Sequence, residues 1–314
     1  MIRLSFIVPF YNVEPYIEEC IRSLYDQDIL QEEYEVICVD DCSPDGSRAI
    51  VERLQKEYPT LQLLIHDENK RQGGARNTGM KVAKGRYIWF IDSDDYIQKN
   101  CLKSLLEQAE GENLDVLQIY YSDNGKPRTN MVDYGPCTGS QYVFDAPMAE
   151  KSDQRCMCVC GGIIRRDLLL KNNIWFEEKV QYEDDDYAYL YFAHAQRVHV
   201  IPKDVYIVRA RENSTTRSDC SVQSLRYMCQ QVERVIKIMP ALSAFDKRWN
   251  DLAERSIRWT CEGQILPSLR IVAEDERRLF YSSRSGHIKG LWKYVSVRTW
   301  LAMRYAFFYK MLYK

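Results

Sequence analysis

The first 120 residues alternate short apolar runs with segments whose apolar positions recur every three or four residues. "LSFIVPF" reads as a strand. "PYIEECIRSLYDQ" then places Ile17, Cys20, Ile21 and Leu24 at i, i+3, i+4 and i+7, with Pro15 at the start of a helix. "YEVICVD" predicts a second strand, "GSRAIVERLQKEY" a helix halted by Pro59, "LQLLIH" a third strand and "ARNTGMKVAKG" a helix closing at Gly85. "RYIWFI" predicts a fourth strand, "CLKSLLEQAEGEN" the next helix and "DVLQIY" a fifth strand. Such alternation implies βαβ units, hence an α/β fold with a mainly parallel central sheet flanked by helices.

Residues 122–150 break this rhythm with Gly, Pro, Asn and Asp. Strand-like "CMCVCGGII", a short helix "RRDLLLKNN", an acidic helix from about Glu183 and strand-like "DVYIVRA" follow. From about Ser221 the pattern is amphipathic helix only. The reading is a domain over 1–220, in which 1–120 holds one half of the site and 121–220 the other, followed by a helical region over 221–314.

A hydrophobic content of 46% over 314 residues supports a real core. The formal charge of -2 hides an asymmetry, because residues 277–314 carry nine Lys/Arg and no acid while residues 1–276 carry 34 basic and 45 acidic side chains. A basic tail either meets an anionic surface or is a solvated face. Eleven cysteines in no paired pattern, and an N-terminus without a leader pattern, point to a reducing, cytoplasmic location. Cys156, Cys158 and Cys160 alternate as on one strand face, which is not the spacing of a zinc site. No run reaches 18 uncharged apolar residues, so no spanning helix is predicted. Nothing in the pattern asks for nucleic acid.

In open α/β sheets ligands bind beyond the carboxyl ends of the strands. There the sequence places Pro9, Phe10, Tyr11 and Asn12; Asp40, Asp41, Cys42 and Ser43; His66, Asp67, Glu68 and Asn69; and Asp92, Ser93, Asp94 and Asp95. Four such ends make a composite pocket, although each alone is a turn or helix cap. Asp41 suits a ring N–H of a pyrimidine base. On extended backbone Asp92 and Asp94 would point to one side with Cα atoms about 6.6 Å apart, a reach suited to a shared hard cation. Arg76, read at the start of a helix after "QGG", offers a charge-assisted contact to phosphates. The glycines of "QGGARNTG" are not GxGxxG and mark a tight turn.

"SFIVPFYNVEPYIEECIRSLYDQ", "VICVDDCSPDGS", "GGARNTGMKVAKGRYIWFIDSDD" and "YEDDDYAYLYF" resemble the successive motifs of glycosyltransferase family 2, inverting enzymes of the GT-A (Rossmann-like) fold. The resemblance covers about residues 3–120 and 156–216. It implies a hexosyl- or N-acetylhexosaminyl-transferase moving a sugar from a nucleotide-sugar, most often a UDP-sugar, to a glycan or lipid-linked acceptor in polysaccharide synthesis. It also implies roles. Pro9, Tyr11, Asn12 and Asp41 would cradle the base and ribose, and Arg76 and Asn69 would face the donor. Asp92, Ser93 and Asp94 match the DxD motif, with Asp94 binding Mn²⁺ or Mg²⁺ directly and Asp92 working at the ribose and behind the metal. Glu183 and Asp184 match the ED motif whose aspartate is the catalytic base; the chain departs by adding Asp185 and Asp186. Cys42 stands where glycine is common. Arg209 and Arg211 fall where the family carries a basic residue and a serine near the phosphates.

Inverting transfer needs a carboxylate to take the acceptor's proton, worth roughly 10² to 10⁴ in rate. Neighbouring acids would disfavour ionisation of Asp184, and the same four acids also suit a helix start. A nucleotidylyltransferase shares this kind of sheet but wants a Gly- and Arg-rich loop where this chain has "PFYNVEP". A silent binding protein of the same fold would have a damaged DxD or base, and both stand intact. In the tail, "GLWKYVSVRTWLAMRYAFFYKMLYK" reads as one amphipathic helix, with Lys293, Arg304, Lys310 and Lys314 opposite Leu291, Val295, Leu301, Tyr305, Phe308 and Leu312. That helix is a candidate for lying on the inner face of an anionic membrane; the alternative is packing on the protein.

Overall fold

The computed structural model describes residues 1–123, 133–145, 158–209 and 221–312. The run "LSFIVPF" is buried at every position, as is "YEVICVD". Only a strand covered on both faces buries consecutive residues in this way. Accordingly Leu4–Phe10 (β1), Tyr34–Asp40 (β2), Leu61–Ile65 (β3) and Tyr87–Phe90 (β4) pair in parallel in the order β3-β2-β1-β4. Helices Ile17–Tyr25 (α1), Ser47–Leu54 (α2) and Arg71–Val82 (α3) make the crossovers. The pairing of β1 with β4 stops at Ile7–Phe90, whereas its pairing with β2 runs on to Phe10–Asp40. Pro9, which has no N–H to donate, therefore sits in the half of β1 that has left β4.

The sheet continues as Tyr96–Ile97 (β5), Val116–Asp123 (β6), Tyr134–Cys137 (β7), Gly162–Arg165 (β8) and Val198–Val208 (β9), in the order β4-β8-β6-β9-β5 with β7 on β9. Here the pairing is mixed: β8 is antiparallel to β4 and β6, while β6 and β9 are parallel. Helices Leu102–Gly111 (α4), Gly139–Asp145 (α5), Arg166–Lys171 (α6) and Asp184–His194 (α7) complete this part.

Helix α3 begins earlier than its apolar pattern predicts, at Arg71, so Gly73 and Gly74 lie inside the helix and are not a turn. Its small residues allow close approach to the sheet. A Cβ on Gly79 would lie 2.5 Å from Cγ2 of Ile7 in β1. The cysteine reading also changes. Cys160 belongs to a 3₁₀ turn, Val159–Gly161, whose Cys160 carbonyl accepts from the Trp89 indole at 2.7 Å, and β8 starts only at Gly162. Cys156 lies outside the described residues.

The chain divides into two compact units, Met1–Lys179 with Tyr187–Arg211, and Val180–Asp186 with Glu212–Lys314. The second is helical: Val222–Leu242 (α8), Arg248–Arg258 (α9), a π-helical segment Trp259–Ile265, Leu266–Ile271 (α10), Glu274–Ser282 (α11), Val297–Arg304 (α12) and Ala306–Leu312 (α13). Ser221 and Ser224 form a reciprocal capping box at the start of α8. α8 buries Leu225, Cys229, Val232, Val235, Met239 and Leu242, one helical stripe. Its polar residues hold the acids that open α7. Gln231 Nε2 donates to Asp185 Oδ2 at 2.7 Å, and Arg234 Nε donates to Asp186 Oδ1 at 3.0 Å. The Asp185 carboxyl is pushed up to about 6, first by burial and then by Asp184 and Asp186. Burial also raises Asp186, against the attraction of Arg234.

The basic tail is not one helix. α12 and α13 are separated by Tyr305 in an extended conformation, and α12 has its own cap, Ser296 Oγ accepting from Thr299 N at 3.1 Å. The reason is tertiary. The Ala302 carbonyl accepts from the Tyr281 hydroxyl at 2.9 Å, and the Arg304 carbonyl accepts from His287 Nε2 at 2.9 Å. Side chains thus satisfy carbonyls that a longer helix would have paired with its next turn. Leu291, Val295, Met303 and Tyr309 are buried, while Tyr305, assigned to the apolar face, is 42% exposed. Among the described residues no helix is long and apolar enough to cross a membrane.

Gly79→Ala gains helix propensity but forces Ile7 aside, so it should destabilise by about 1–3 kcal/mol; Ile7→Ala, which removes the clashing methyl, should make the double variant less destabilised than the sum, as read from urea midpoints. Asp185 binds its proton more tightly folded than unfolded, so its contribution is fully present below about pH 4 and is lost as pH rises through about 6. Over that window the change amounts to about 3 kcal/mol at most. Asp185→Asn, which keeps an acceptor for Gln231, should flatten that part of the stability–pH curve; an unchanged curve would exclude Asp185 as its source.

Candidate active site

Parallel register brings the carboxyl ends of β1, β2 and β3 to one edge, with Phe10 beside Asp40 and Asp40 beside Ile65. The ladder runs one residue further, Asp41 N donating to the Phe10 carbonyl and His66 N to the Asp40 carbonyl, both at 3.0 Å. Asp41 is thereby 3% exposed. A carboxylate so buried needs donors. Its Oδ1 accepts from His66 Nδ1 at 2.7 Å and from the Lys70 backbone N–H at 2.7 Å, and its carbonyl accepts from Asn69 Nδ2 at 3.0 Å. His66 reaches on through Nε2 to the Thr78 hydroxyl of α3 at 2.9 Å. In the neutral ring Nδ1 carries the proton and Nε2 accepts a hydrogen bond from Thr78. Oδ2 of Asp41 has no hydrogen bond among the described residues.

The flanking residues are set by unusual backbone. Cys42 has φ 67° and Asn12 φ 55°, the left-handed region that Asn tolerates and Cys does not favour. The Cys42 thiol donates to the His66 carbonyl at 3.0 Å, and Asn12 N donates to Ser43 Oγ at 3.3 Å. Pro9 is buried in β1 and Tyr11 is 49% exposed beside it.

The aspartates after β4 form a turn, not an extended segment: Asp95 N donates to the Asp92 carbonyl at 3.0 Å. The expectation of two side chains on one face of a continuing strand therefore fails. The strand stops at Phe90, and β1 has parted from it. The acids are sorted by tertiary partners instead. Asp92 Oδ1 accepts from Nη2 of Arg76 at 2.9 Å, and Arg76 is 1% exposed with its guanidinium 5.2 Å from the ring centre of Phe176. Arg76 lies in the second turn of α3, so the structure directs it to Asp92. Asp92 N donates to the Tyr206 hydroxyl at 3.0 Å, and that hydroxyl donates to Asp95 Oδ2 at 2.9 Å. Asp95 Oδ1 accepts from Arg209 N at 2.8 Å. Burial, then Asp92 and Asp94, push the Asp95 carboxyl up to about 8. Ser93 and Asp95 are buried, whereas Asp92 and Asp94 are half-buried. Arg209 Nε donates to the Asp94 carbonyl at 3.1 Å, and its guanidinium pairs with Glu19 at 2.7 Å between Tyr16 and Tyr96. Arg211 lies outside the described residues.

Glu183 and Asp184 belong to the second unit, Glu183 buried and Asp184 half-buried at the first position of α7. The structure thus gathers His66 and Asn69 around Asp41, and Arg76, Tyr206 and Asp95 around Asp92 and its turn. His66 and Tyr206 carry this order, while Gln231 and Arg234 hold Asp185 and Asp186, and of these four the sequence pattern marks only His66. His66 stands at a strand end that the pattern marks. Tyr206 is an apolar-run residue of β9, with nothing in its neighbourhood to announce the hydroxyl's role.

For a divalent ion the chemistry of the donors fits. Mg²⁺ or Mn²⁺ takes oxygen from one or two carboxylates and completes its shell with phosphate oxygens and water. Asp94 and Asp92 are half-buried oxygen donors on a pinned turn. Among the described residues no group of three or more His, Cys, Asp and Glu is placed to hold an ion by itself.

A sequence model described as glycosyl transferase family 2 matches residues 5–172. The "uncharacterized glycosyltransferase EpsJ" of Bacillus subtilis is 35% identical over 221 residues, 68% of this chain and 62% of that one. The poly(ribitol-phosphate) β-N-acetylglucosaminyltransferase TarS of Staphylococcus aureus is 30% identical over 228 residues, 71% of this chain and 38% of that one. The match thus spans less than two thirds of either relative. The crystal structure of TarS 1-349 with UDP-GlcNAc superposes with a TM-score of 0.65 at 23% identity, covering 100% of this chain and 93% of that chain. The mannosyltransferase PcManGT of Pyrobaculum calidifontis, solved with GDP-Man and Mn²⁺, gives a TM-score of 0.57 at 18% identity over 96% of this chain and 85% of that one. The fold is therefore GT-A, and the chain belongs to glycosyltransferase family 2.

Proposed function

We propose that the chain transfers a sugar from a UDP-sugar to an acceptor hydroxyl with inversion at the anomeric carbon. The observation that carries this reading is the pinned turn after β4, in which Arg76, Tyr206 and Arg209 hold Asp92 and Asp95 while Asp94 stands at its half-exposed crest. Asp41, steadied by His66, would take a ring N–H of the base through Oδ2. Pro9, Tyr11 and Asn12 would flank base and ribose, and Asn69 would hold the loop over them. Asp94, with Asp92 and Ser93 behind it, would hold Mn²⁺ or Mg²⁺. When bound, such an ion neutralises charge on a departing diphosphate.

The acceptor oxygen forms its bond to the anomeric carbon as the bond to the diphosphate oxygen breaks, from opposite faces, through an oxocarbenium-like transition state. The hydroxyl proton goes to a carboxylate, which we assign to Asp184, with Glu183 buried before it. Its neighbours Asp185 and Asp186 accept from Gln231 and Arg234. A glycan-type acceptor is supported by relatives named for poly(ribitol-phosphate) and minor teichoic acid synthesis.

Purified protein with UDP-sugars should release UDP in the presence of Mn²⁺ or Mg²⁺, lose this on chelation and regain it when the ion is restored. Asp184→Asn should cut turnover by roughly 10² to 10⁴ while UDP still raises the melting temperature; undiminished transfer would remove Asp184 as the base. Tyr206→Phe deletes one hydroxyl that serves both Asp92 and Asp95. At about 1–2 kcal/mol it should lower turnover roughly tenfold without loss of fold.

A further inference from the structure

The second unit contains a cavity of about 420 Å³ walled by α10, α11 and α13, within the roughly 300–1,000 Å³ of small-ligand sites. Arg270, Arg277, Arg278 and Lys310 line it, against one acid, Glu274. Glu274 pairs with Arg278 at 2.8 Å in a mostly exposed bridge, so the lining keeps a clear positive excess. Like charges gathered in one concavity repel, and an anion is what offsets that cost. The Arg277 guanidinium is fixed: Nη2 donates to the Arg270 and Val272 carbonyls at 3.3 and 3.2 Å, and its carbon lies 5.9 Å from the ring centre of Tyr309. The hydroxyls of Tyr281 and Tyr309 bond to the Ala302 and Leu266 carbonyls, so these residues offer a ligand their rings.

We propose that this cavity binds a phosphate ester, its oxygens on the forked arginines and Lys310 and its carbon body against the two tyrosine rings. A guanidinium fork matches the geometry of phosphate oxygens, which it can take two at a time. The lysine- and arginine-rich, acid-free stretch from residue 277 onward supplies three of the four cations. The same chemistry is presented by a phosphorylated polyol and by a phospholipid headgroup. The inference is independent of the donor site, so its failure leaves the transfer reading untouched.

The test is calorimetric titration of the full chain with sn-glycerol 3-phosphate, beside co-sedimentation with phosphatidylglycerol and phosphatidylcholine vesicles. Saturable binding that weakens with salt is expected. Removing one charge-assisted hydrogen bond should lower affinity roughly tenfold. Arg277→Lys keeps charge without the fork and should bind less tightly than the parent. Arg277 also anchors the α10–α11 corner, so Arg278→Gln with Lys310→Gln, both exposed, is the decisive variant: it should lose glycerol phosphate while its melting temperature and UDP binding stay unchanged. Sedimentation with phosphatidylglycerol alone, competed by glycerol phosphate, assigns the headgroup as source. Glycerol phosphate binding without sedimentation assigns a soluble ester. Absence of saturable binding, or equal binding by the double variant, overturns the proposal.

Discussion

A guanidinium that is 1% exposed has to find a carboxylate, and the pair of Arg76 with Asp92 is the constraint on which the site's arrangement rests. Helix α3 can bring Arg76 so deep only because its facing residues are small; Gly79 lets it lie against Ile7 of β1. Once Arg76 is placed, the first aspartate after β4 must turn toward it. The chain cannot then continue as a strand. Tyr206 completes the turn from the other side, its hydroxyl accepting from one end and donating to the other. Breaking the buried pair by removing one partner would leave an uncompensated charge, at about 3–5 kcal/mol.

The same logic orders the carboxyl edge of β2 and the acidic helix. Asp41 is buried because the parallel ladder runs one residue past β2, and His66 with the Lys70 amide provides the donors that burial demands. At the start of α7 four successive acids repel one another, and α8 answers with Gln231 and Arg234. The carboxyls of Asp185 and Asp186 are raised there, first by loss of solvent. The neighbours expected to tune Asp184 are themselves the residues that the fold holds.

Much of the fold is legible in the chain itself. Continuous apolar runs, the helix-period segments between them and the polar residues at each run's end yield the parallel half-sheet and its carboxyl edge, because burial on both faces favours apolar positions and admits a polar one mainly where it finds a partner, as Ser5 does in Glu35. What periodicity does not supply is partnership across long sequence separation. The turn at Asp92–Asp95 is set by residues 76, 206 and 209, and the break between α12 and α13 by residues 281 and 287. A local pattern carries no trace of either.

The sequence by itself determined which residues emerge at the carboxyl edge: Pro9, Tyr11, Asp41 and the aspartates that end "YIWFIDSDD", since hydrophobic burial sets where each strand must stop. The tertiary structure alone decided what each carboxylate does. Asp92 answers Arg76, Asp95 answers Tyr206 and Arg209, and Asp94 stays half-exposed on the turn between them. The reason is that a buried charge takes its meaning from the nearest opposite charge or donor, and folding brings that partner from far along the chain.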